Sequence, residues 1–315
     1  MEISSIFSMK RRDFIRAGAV ILASGGLDKV LAKTNLSSKF KFTYVPPYAY
    51  ENISTEDSEW VNVSPGIDFR KTKIYGKDKL VDIVATAKIN PEKNRLKVFN
   101  NYTPQDCPLL TIEEWQKRTG ASLMFNSAMY EVDKKYFGAP RALIISNGKP
   151  KFPVTEHYVS GMIVAEPTDH SLPKIDLLDL RYDHFDLETT PYTEGVQHWM
   201  ILLDRDGKIP VKASDWQSNR TIVAKDKNKN FIVMTTEGGF FTLYNFGRFL
   251  KEKKDLEIEC AMNLDGGYEA QMCINTPTHK YATYGQFETY GPDKNVSVLN
   301  ARCQIPAAIG IFPRK

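Results

Sequence analysis

Apolar and polar residues alternate over several short segments of this chain, and a period of two is typical of β-strands with one buried face. The most regular segment covers residues 256–264, where every second residue is apolar. Residues 81–87 alternate in the same way, and a polar NPEKN turn separates them from a second such segment at residues 96–99. These two segments are expected to pair as a hairpin.

Short polar turns between apolar runs predict further strand pairs. Asn147-Gly148 and Asp206-Gly207 are dipeptides that favour two-residue hairpin turns. A charged turn at residues 225–230 likewise separates two apolar runs. The Asp-Gly pair at residues 206–207 also fits a calcium-binding loop, but the further ligands of such a loop are missing from the sequence around it. We therefore expect hairpins at all three places.

Two segments have the periodicity and the end signals of helices. The first begins after Thr111, whose hydroxyl is placed as an N-cap, and Glu114 completes a capping box. Gly120 is placed to end this helix, and the apolar strand that follows ends on Asn126. The second helix is predicted to begin near Thr242, with its apolar residues on one face.

Many antiparallel strands with only a few helices predict an α+β fold, a mostly antiparallel mixed sheet with packed helices in a single domain. The chain has 315 residues, of which 42% are hydrophobic, so one large core is expected. The predicted organisation is an extended lead-in over residues 33–79 and one main domain over residues 80–315.

Residues 1–32 have the character of an export signal. Arg11 and Arg12 are followed by Phe14 and by a short apolar stretch interrupted by glycines. This pattern resembles the twin-arginine export motif, although Lys10 stands where Ser or Thr is usual. We expect recognition by the twin-arginine machinery, removal of the leader, and a periplasmic or secreted mature protein. A basic amphipathic helix on the protein's own surface is the alternative.

Charge and cysteine spacing exclude several other classes. A net charge of +4 without a basic run gives no electrostatic argument for nucleic acid. Beyond the leader, no apolar run is long enough to span a bilayer. The four cysteines are too scattered for a zinc motif and the five histidines form no pair at helical spacing, so neither a metal nor a cofactor is predicted. One or two disulfides are permitted in an oxidising compartment, with buried free thiols as the alternative.

The most regular strand runs into an acid and two glycines, NLDGG at residues 263–267. Asp-Gly-Gly by itself is more often a turn. Glycines also let backbone amides approach a ligand, because no side chain stands in the way. The segment is therefore either a hairpin turn or the floor of a carbohydrate site.

Four segments in a fixed order resemble the phosphodiester glycosidase family. AMNLDGG at residues 261–267 is similar to the family's C-terminal signature. Earlier in the chain, ASLMFNSAMYEVD at 121–133, VQHWMILLDRDGK at 196–208 and SNRTIVAKDKNKN at 218–230 resemble family strands in the same order. The resemblance covers roughly residues 80–312.

The resemblance implies hydrolysis of a sugar-1-phosphodiester in a glycan or envelope polymer, with Asp265, Arg220 and Asn126 as catalytic residues. An arginine fork matches a phosphate group, and a carboxylate suits the anomeric centre of an oxocarbenium-like transition state. Asn126 would hydrogen-bond sugar hydroxyls or hold Asp265 in place. Gly266 and Gly267 would form the floor of the substrate site.

Gln197, Tyr268 and Glu269 complete the predicted substrate-binding set, with Glu269 as the candidate second carboxylate. Tyr268 and Glu269 stand where the family usually has Gly and small hydroxyl residues. His198 and Ser127 also replace smaller family residues. Because an aromatic ring beside a glycine floor is a common sugar-stacking arrangement, the alternative is a non-catalytic carbohydrate-binding or envelope-assembly protein on the same fold.

Overall fold

A computed structural model describes residues 47–103, 105–131, 137–152, 159–290, 295–298 and 302–314. The leader predicted over residues 1–32 lies outside the described residues.

The largest sheet has eight strands in the order β1-β3-β4-β14-β13-β15-β12, with β2 paired to β3. All of its strand pairs are antiparallel. Its strands are β1 (Ile53–Asp57), β2 (Val61–Ser64), β3 (Ile67–Gly76), β4 (Lys79–Ile89), β12 (Met200–Leu203), β13 (Thr221–Asp226), β14 (Phe231–Thr236) and β15 (Ile258–Asn263).

Two five-stranded sheets and one strand pair make up the remaining β-structure. The second sheet, in the order β10-β9-β11-β7-β8, contains β7 (Ile144–Ser146), β8 (Lys149–Lys151), β9 (Gly161–Pro167), β10 (Ile175–Asp179) and β11 (Tyr192–His198). The third sheet, in the order β17-β16-β6-β20-β5, contains β5 (Asn94–Asn100), β6 (Leu123–Asn126), β16 (Gln271–Asn275), β17 (Lys280–Tyr284) and β20 (Ala307–Pro313). The separate pair consists of β18 (Phe287–Tyr290) and β19 (Asn295–Val298).

The described residues form two α-helices, α1 (Ile112–Thr119) and α2 (Leu243–Glu252). The Thr111 side chain accepts from the backbone N–H of Glu114, and Glu114 bonds back to the N-cap, which confirms the predicted capping box. Gly120 ends α1 in the left-handed conformation at φ 72°, as predicted. Thr242 caps α2. Short 3-10 helices cover Pro47–Asn52, Lys254–Leu256 and Gly267–Glu269.

The three large sheets enclose one main apolar core. Buried residues of the first, second and third sheets, such as Val223, Ile163 and Phe125, belong to this single cluster. The other face of the first sheet packs against the aromatic side of α2, where the rings of Phe246 and Phe249 are 5.6 Å apart between centroids. Helix α1 covers the outer face of the third sheet. The result is a single α+β domain, as predicted.

Two predicted hairpins are wrong. Strands β4 and β5 follow each other around the expected turn but lie in different sheets. The side-chain amide of Asn94 donates to the carbonyls of Pro65 and Gly66 at 3.1 Å each, and this anchor turns β5 away from β4 toward β20. Turn signals specify where a chain reverses, but they do not specify which strand becomes its neighbour.

The second wrong hairpin is the one at Asp206-Gly207. The Asp204 carboxylate accepts from the backbone N–H groups of Asp206 and Lys208 at 3.1 Å and 2.8 Å, which closes the turn locally. Strand β12 pairs with β15 instead of a return strand. Residues 208–216 continue without strand structure.

The hairpins predicted at residues 147–148 and 225–230 are confirmed by the pairs β7–β8 and β13–β14.

The segment expected as an extended lead-in contributes β1, β2 and β3 to the first sheet, and β3 pairs with β4 along its whole length. No helix of the described residues has the length and apolar character that a membrane span requires.

All four cysteines are free thiols, with Cys260 and Cys273 buried. Burial raises the pKa of both buried thiols to about 12.

Candidate active site

Arg220 and Asp265 lie opposite each other at the ends of neighbouring antiparallel strands. Ile222 of β13 is paired with Asn263 of β15, and the Leu264 N–H donates to the Thr221 carbonyl at 2.8 Å. One residue further along each strand, this register places Arg220 opposite Asp265. The two residues are thus brought together by strand pairing, although they are far apart in the sequence.

Asn126 joins this strand pair from the third sheet. Its side-chain amide donates to the backbone carbonyl of Asp265 at 2.8 Å. Its carbonyl oxygen accepts from the Thr221 hydroxyl at 2.7 Å and from the Gln271 N–H at 3.0 Å. Because Asn126 is 1% exposed, all three bonds are shielded from solvent. Asn126 therefore lies behind Asp265 and holds its backbone.

A cavity of about 630 Å³ opens in front of Arg220 and Asp265. Gly266, His198, Asn263 and Glu288 contribute to its polar lining, together with Arg181 and Lys212 at other points of the wall. A cavity of this size is within the range of small-molecule and sugar sites.

The Arg220 guanidinium is held from two sides by backbone carbonyls. Its Nε donates to the Phe241 carbonyl at 3.3 Å and its Nη2 donates to the Trp216 carbonyl at 2.7 Å. A β-carbon placed on Gly266 would lie 3.6 Å from Nη1, so the third nitrogen faces the Gly266 side. Burial lowers the pKa of Arg220 to about 10, while the nearby Glu288 acts to raise it. The group is therefore a positioned cation at neutral pH.

Glu288 is a second acid at this site. It is 3% exposed and lines the cavity from β18. A β-carbon on Gly267 would lie 2.7 Å from its Oε2, and Gly267 has φ 69°, so the backbone passes directly beneath this carboxylate. The left-handed conformation favours glycine at this position, and a side chain there would also push the Glu288 carboxylate away.

His198 faces the cavity in the neutral form. It is 2% exposed, and neither ring nitrogen has a hydrogen-bond partner among the described residues. Burial lowers its pKa to about 4. The Oδ1 of Asn263, also buried and lining the cavity, likewise has no partner among the described residues. Such buried, unpaired polar atoms are costly and rare in the absence of a ligand or water.

Apolar side chains form another part of the wall. Pro210 and Val211 come from the segment after the Asp206-Gly207 turn, and Leu243 begins α2. Trp216 is 51% exposed and lines the same cavity. The cavity therefore has a charged and polar end and an aromatic, apolar side.

The predicted site residues are divided by the structure. Arg220, Asp265 and Gly266 line one cavity, and Asn126 supports it from behind. The remaining four predicted residues do not line this cavity: Gln197, Gly267, Tyr268 and Glu269.

Each of the four residues outside the lining has a structural environment of its own. The Oε1 of Gln197 accepts from the Leu143 N–H at 3.4 Å within the second sheet. Tyr268 and Glu269 are turned inward by the 3-10 helix and are 4% and 7% exposed. Glu269 accepts from the Tyr130 hydroxyl at 3.3 Å. The ring beside the glycine floor is therefore packed rather than presented to solvent.

His198, Asn263, Glu288 and Trp216 line the cavity but were not among the predicted site residues. His198 directly follows Gln197, and a period of two places neighbouring residues on opposite faces of a strand. The prediction chose the face of Gln197, whereas the face of His198 borders the cavity. Glu288 has no signal in the sequence, since its short strand is joined to the site through an isolated bridge to Ser218. Within the described residues, no group of His, Cys, Asp and Glu is arranged to hold a metal ion.

Solved structures of low sequence identity share this fold. The catalytic domain of zebrafish N-acetylglucosamine-1-phosphodiester alpha-N-acetylglucosaminidase, auto-inhibited by its pro-peptide, aligns with a TM-score of 0.57 at 15% identity, covering 87% of this chain and 97% of that domain. A hypothetical protein from Synechocystis aligns at 0.53 and 12% identity, covering 81% of this chain and 64% of its own. A Burkholderia pseudomallei protein described as exported aligns at 0.51 and 10% identity, covering 74% of each chain.

No curated protein sequence matches the chain. The sequence model of the phosphodiester glycosidase domain matches residues 119–312. This match includes Asn126, Arg220 and Asp265, the whole second sheet, four of the eight strands of the first sheet and all of the third sheet's strands except β5. The chain therefore belongs to the phosphodiester glycosidase family.

Proposed function

We propose that this protein hydrolyses the glycosidic bond of a sugar-1-phosphodiester carried by a glycan or an envelope polymer. The observation that carries the proposal is that Arg220 and Asp265 line one cavity on opposed strand ends. This reaction needs positive charge on the departing phosphate and negative charge beside the anomeric carbon. Family membership supports glycosidase chemistry in general.

Arg220 is assigned to the phosphate. A guanidinium group matches phosphate oxygens in a fork geometry and retains its charge when it is buried. The carbonyls of Phe241 and Trp216 hold its Nε and Nη2, so little reorganisation is needed when a ligand binds. Nη1 and the side of the Arg220 guanidinium that faces the cavity would donate hydrogen bonds to the phosphate oxygens.

Asp265 is assigned to the anomeric centre. A water oxygen would bond to the anomeric carbon, and the bond from that carbon to the phosphate oxygen would break with its electron pair leaving on the phosphate. Asp265 would take the proton of the attacking water. The products are a free reducing sugar and a phosphate monoester. Because the phosphate leaves as a stable anion, a strong proton donor on the leaving group is not required.

His198 and Asn263 are assigned to sugar hydroxyl groups. A neutral imidazole offers one donor and one acceptor, and the Asn263 Oδ1 offers a further acceptor. A hydroxyl group both donates and accepts, so it satisfies this set, whereas an ionised phosphate only accepts and would leave the acceptor nitrogen of the ring and the Asn263 Oδ1 unpaired. Trp216 supplies an exposed aromatic face for the sugar or its aglycone.

A non-catalytic carbohydrate-binding protein is the second candidate. The exposed ring of Trp216 beside a cavity with unpaired polar atoms favours sugar binding whether or not turnover follows.

We also propose that residues 1–32 direct export by the twin-arginine machinery, which would place the mature protein in the periplasm or outside the cell. The neighbour described as an exported protein is compatible with this location.

An assay of the purified mature chain on a panel of sugar-1-phosphodiesters tests the enzyme proposal. We expect release of reducing sugar from at least one substrate, and loss of that release in Asp265→Asn. Saturable binding without turnover across the panel would support the binding protein instead. A Trp216→Ala variant should weaken binding in either case, since stacking on an aromatic ring contributes to both.

A further inference from the structure

A second groove lies on the outer side of the third sheet, between strand β5 and helix α1. Its volume is about 450 Å³, and no described residue lines both this groove and the cavity of Arg220 and Asp265. Strand β5 alternates between buried Leu96 and Val98, which face the main core, and Arg95 and Lys97, which face the groove. We call it the β5–α1 groove.

The β5–α1 groove is lined by cations without acids. Arg95 and Lys97 come from β5 and Arg118 from α1, and no Asp or Glu is among the described lining residues. None of the three cations forms a salt bridge with a described carboxylate. By contrast, other arginines of this chain, such as Arg248 and Arg314, are paired with glutamates. Lys97 donates to the Asn147 Oδ1 at 3.2 Å and its charge acts on the buried Glu194, so the unpaired positive charge of the groove rests mainly on Arg95 and Arg118.

Two donor nitrogens in the groove are buried and unpaired. The Nε of Arg95 and the Nδ2 of Asn100 are closed off from solvent and have no hydrogen-bond partner among the described residues. The orientation of the Asn100 amide is set, because its Oδ1 accepts from the Tyr102 N–H at 2.9 Å. The unpaired atom is thus a donor and cannot become an acceptor by rotation of the amide.

Both guanidinium groups are held beside aromatic rings. Arg95 lies 5.8 Å from the ring centre of Phe312, and Arg118 lies 6.0 Å from that of Trp115. Such contacts restrict the side chains before a ligand arrives. Donors and positive charge without an acceptor carboxylate favour an oxyanion, which arginine forks bind in a planar, bidentate manner.

We propose that the β5–α1 groove binds the phosphate or carboxylate group of an anionic ligand, separately from the candidate active site. The site does not depend on the reaction proposed for Arg220 and Asp265. If that proposed function holds, an anionic polymer would contact the protein at two places, and the groove would bind a charged group away from the scissile bond.

Isothermal titration of the full chain with inorganic phosphate, and separately with acetate, tests the groove and distinguishes the two oxyanions. The test variant is the double substitution Arg95→Gln and Arg118→Gln. Lys117→Gln is the matched control, because Lys117 is an exposed cation on α1 outside the groove lining. We expect one of the oxyanions to bind, its affinity to fall at least about tenfold in the double variant, and the control to keep the wild-type affinity.

A second variant, Asn100→Asp, replaces the unpaired donor by an acceptor of the same shape and should also abolish groove binding. Thermal unfolding of each variant shows that the fold is retained. Equal affinity in wild type and in both groove variants would overturn the proposal, as would an equal loss in Lys117→Gln. The titration measures binding and not turnover. Failure of the groove proposal is therefore distinguishable from failure of the proposed enzymatic function.

Discussion

The side-chain amide of Asn126 holds the backbone carbonyl of Asp265 at 2.8 Å, across the boundary between the first and third sheets. The bond uses the main chain of Asp265 and not its carboxylate. Asn126 is therefore a positioning residue in this site, and its effect on chemistry would pass through the geometry of the loop that carries the acid.

Asn126→Ala should destabilise the fold strongly. The Asp265 carbonyl, the Thr221 hydroxyl and the Gln271 N–H would all lose a buried partner. Since each unsatisfied buried group costs about 1–3 kcal/mol, we expect the free energy of unfolding to fall by at least about 3 kcal/mol. Urea unfolding measures this change. The control Asn228→Ala, at an exposed side chain bonded to Glu257, should change stability by less than about 0.5 kcal/mol.

Asp265→Asn should retain the fold and lose turnover. The substitution keeps the shape of the side chain and removes the charge and the basic oxygen, which should lower kcat by about 10²–10⁴-fold. Steady-state kinetics on the best substrate of the panel measures this. Asp206→Asn, at the exposed turn after β12, should keep wild-type kcat. Wild-type kcat in Asp265→Asn would remove this residue from the chemistry.

Arg220→Lys should damage the phosphate site although the charge is retained. A lysine cannot donate to the carbonyls of Phe241 and Trp216 and to a phosphate with the geometry of the fork. We expect kcat/KM to fall by about 10–100-fold, which corresponds to roughly 1.4–2.7 kcal/mol. Arg205→Lys is the matched control, since Arg205 is paired with Asp183 outside the cavity lining. Unchanged kcat/KM in Arg220→Lys would contradict the assignment.

His198 should make the fold less stable in acid. Its pKa is about 4 in the folded protein against 6.5 for an unperturbed histidine, so the unfolded chain binds the extra proton between these values. Stability from this group is present above pH 6.5 and is lost as the pH falls toward 4, by roughly 3 kcal/mol in total.

A His198→Gln variant isolates this contribution, because glutamine does not titrate. Urea unfolding at several pH values between 4 and 7.5 should show a smaller loss of stability in acid for the variant than for wild type. The exposed His184→Gln control should keep the wild-type slope. Identical slopes in wild type and His198→Gln would show that the ring is not buried in the neutral form.

Changing Arg11 and Arg12 to Lys tests export. If the twin-arginine machinery recognises this leader, the double variant should remain in the cytoplasm as a longer precursor. Cell fractionation followed by mass measurement of the intact protein distinguishes the two forms. Processing and a periplasmic location for the double variant would rule out this route.

The sequence correctly predicted those features of the fold that depend on interactions between residues close together in the chain. The caps of α1 and α2 and the hairpin β13–β14 follow from contacts between residues close in the chain. The order of four motifs also predicted that Asn126, Arg220 and Asp265 lie near one another, and the structure brings the three residues together. Their proximity could be predicted because each residue lies at or next to the end of a strongly patterned strand.

The parts that could not be predicted depend on contacts between distant segments. Strand β5 leaves β4 because Asn94 binds the turn at Pro65 and Gly66, and no local pattern shows that partner. Tyr268 and Glu269 had the composition of a sugar platform, but the 3-10 helix buries them. Glu288 reaches the site only through the arrangement of β18 beside Gly267.

Strand β20 lies between β6 and β5 in the third sheet and pairs with both. Ala308 of β20 is the partner of Asn126, so the strand that carries the support of Asp265 is completed by residues synthesised long after it. Strands β5 and β6 therefore have no common neighbour until β20 has folded between them, and the site is expected to assemble in a late step of folding. Recovery of activity would consequently report the final stage of folding, after most helical and hairpin structure has formed.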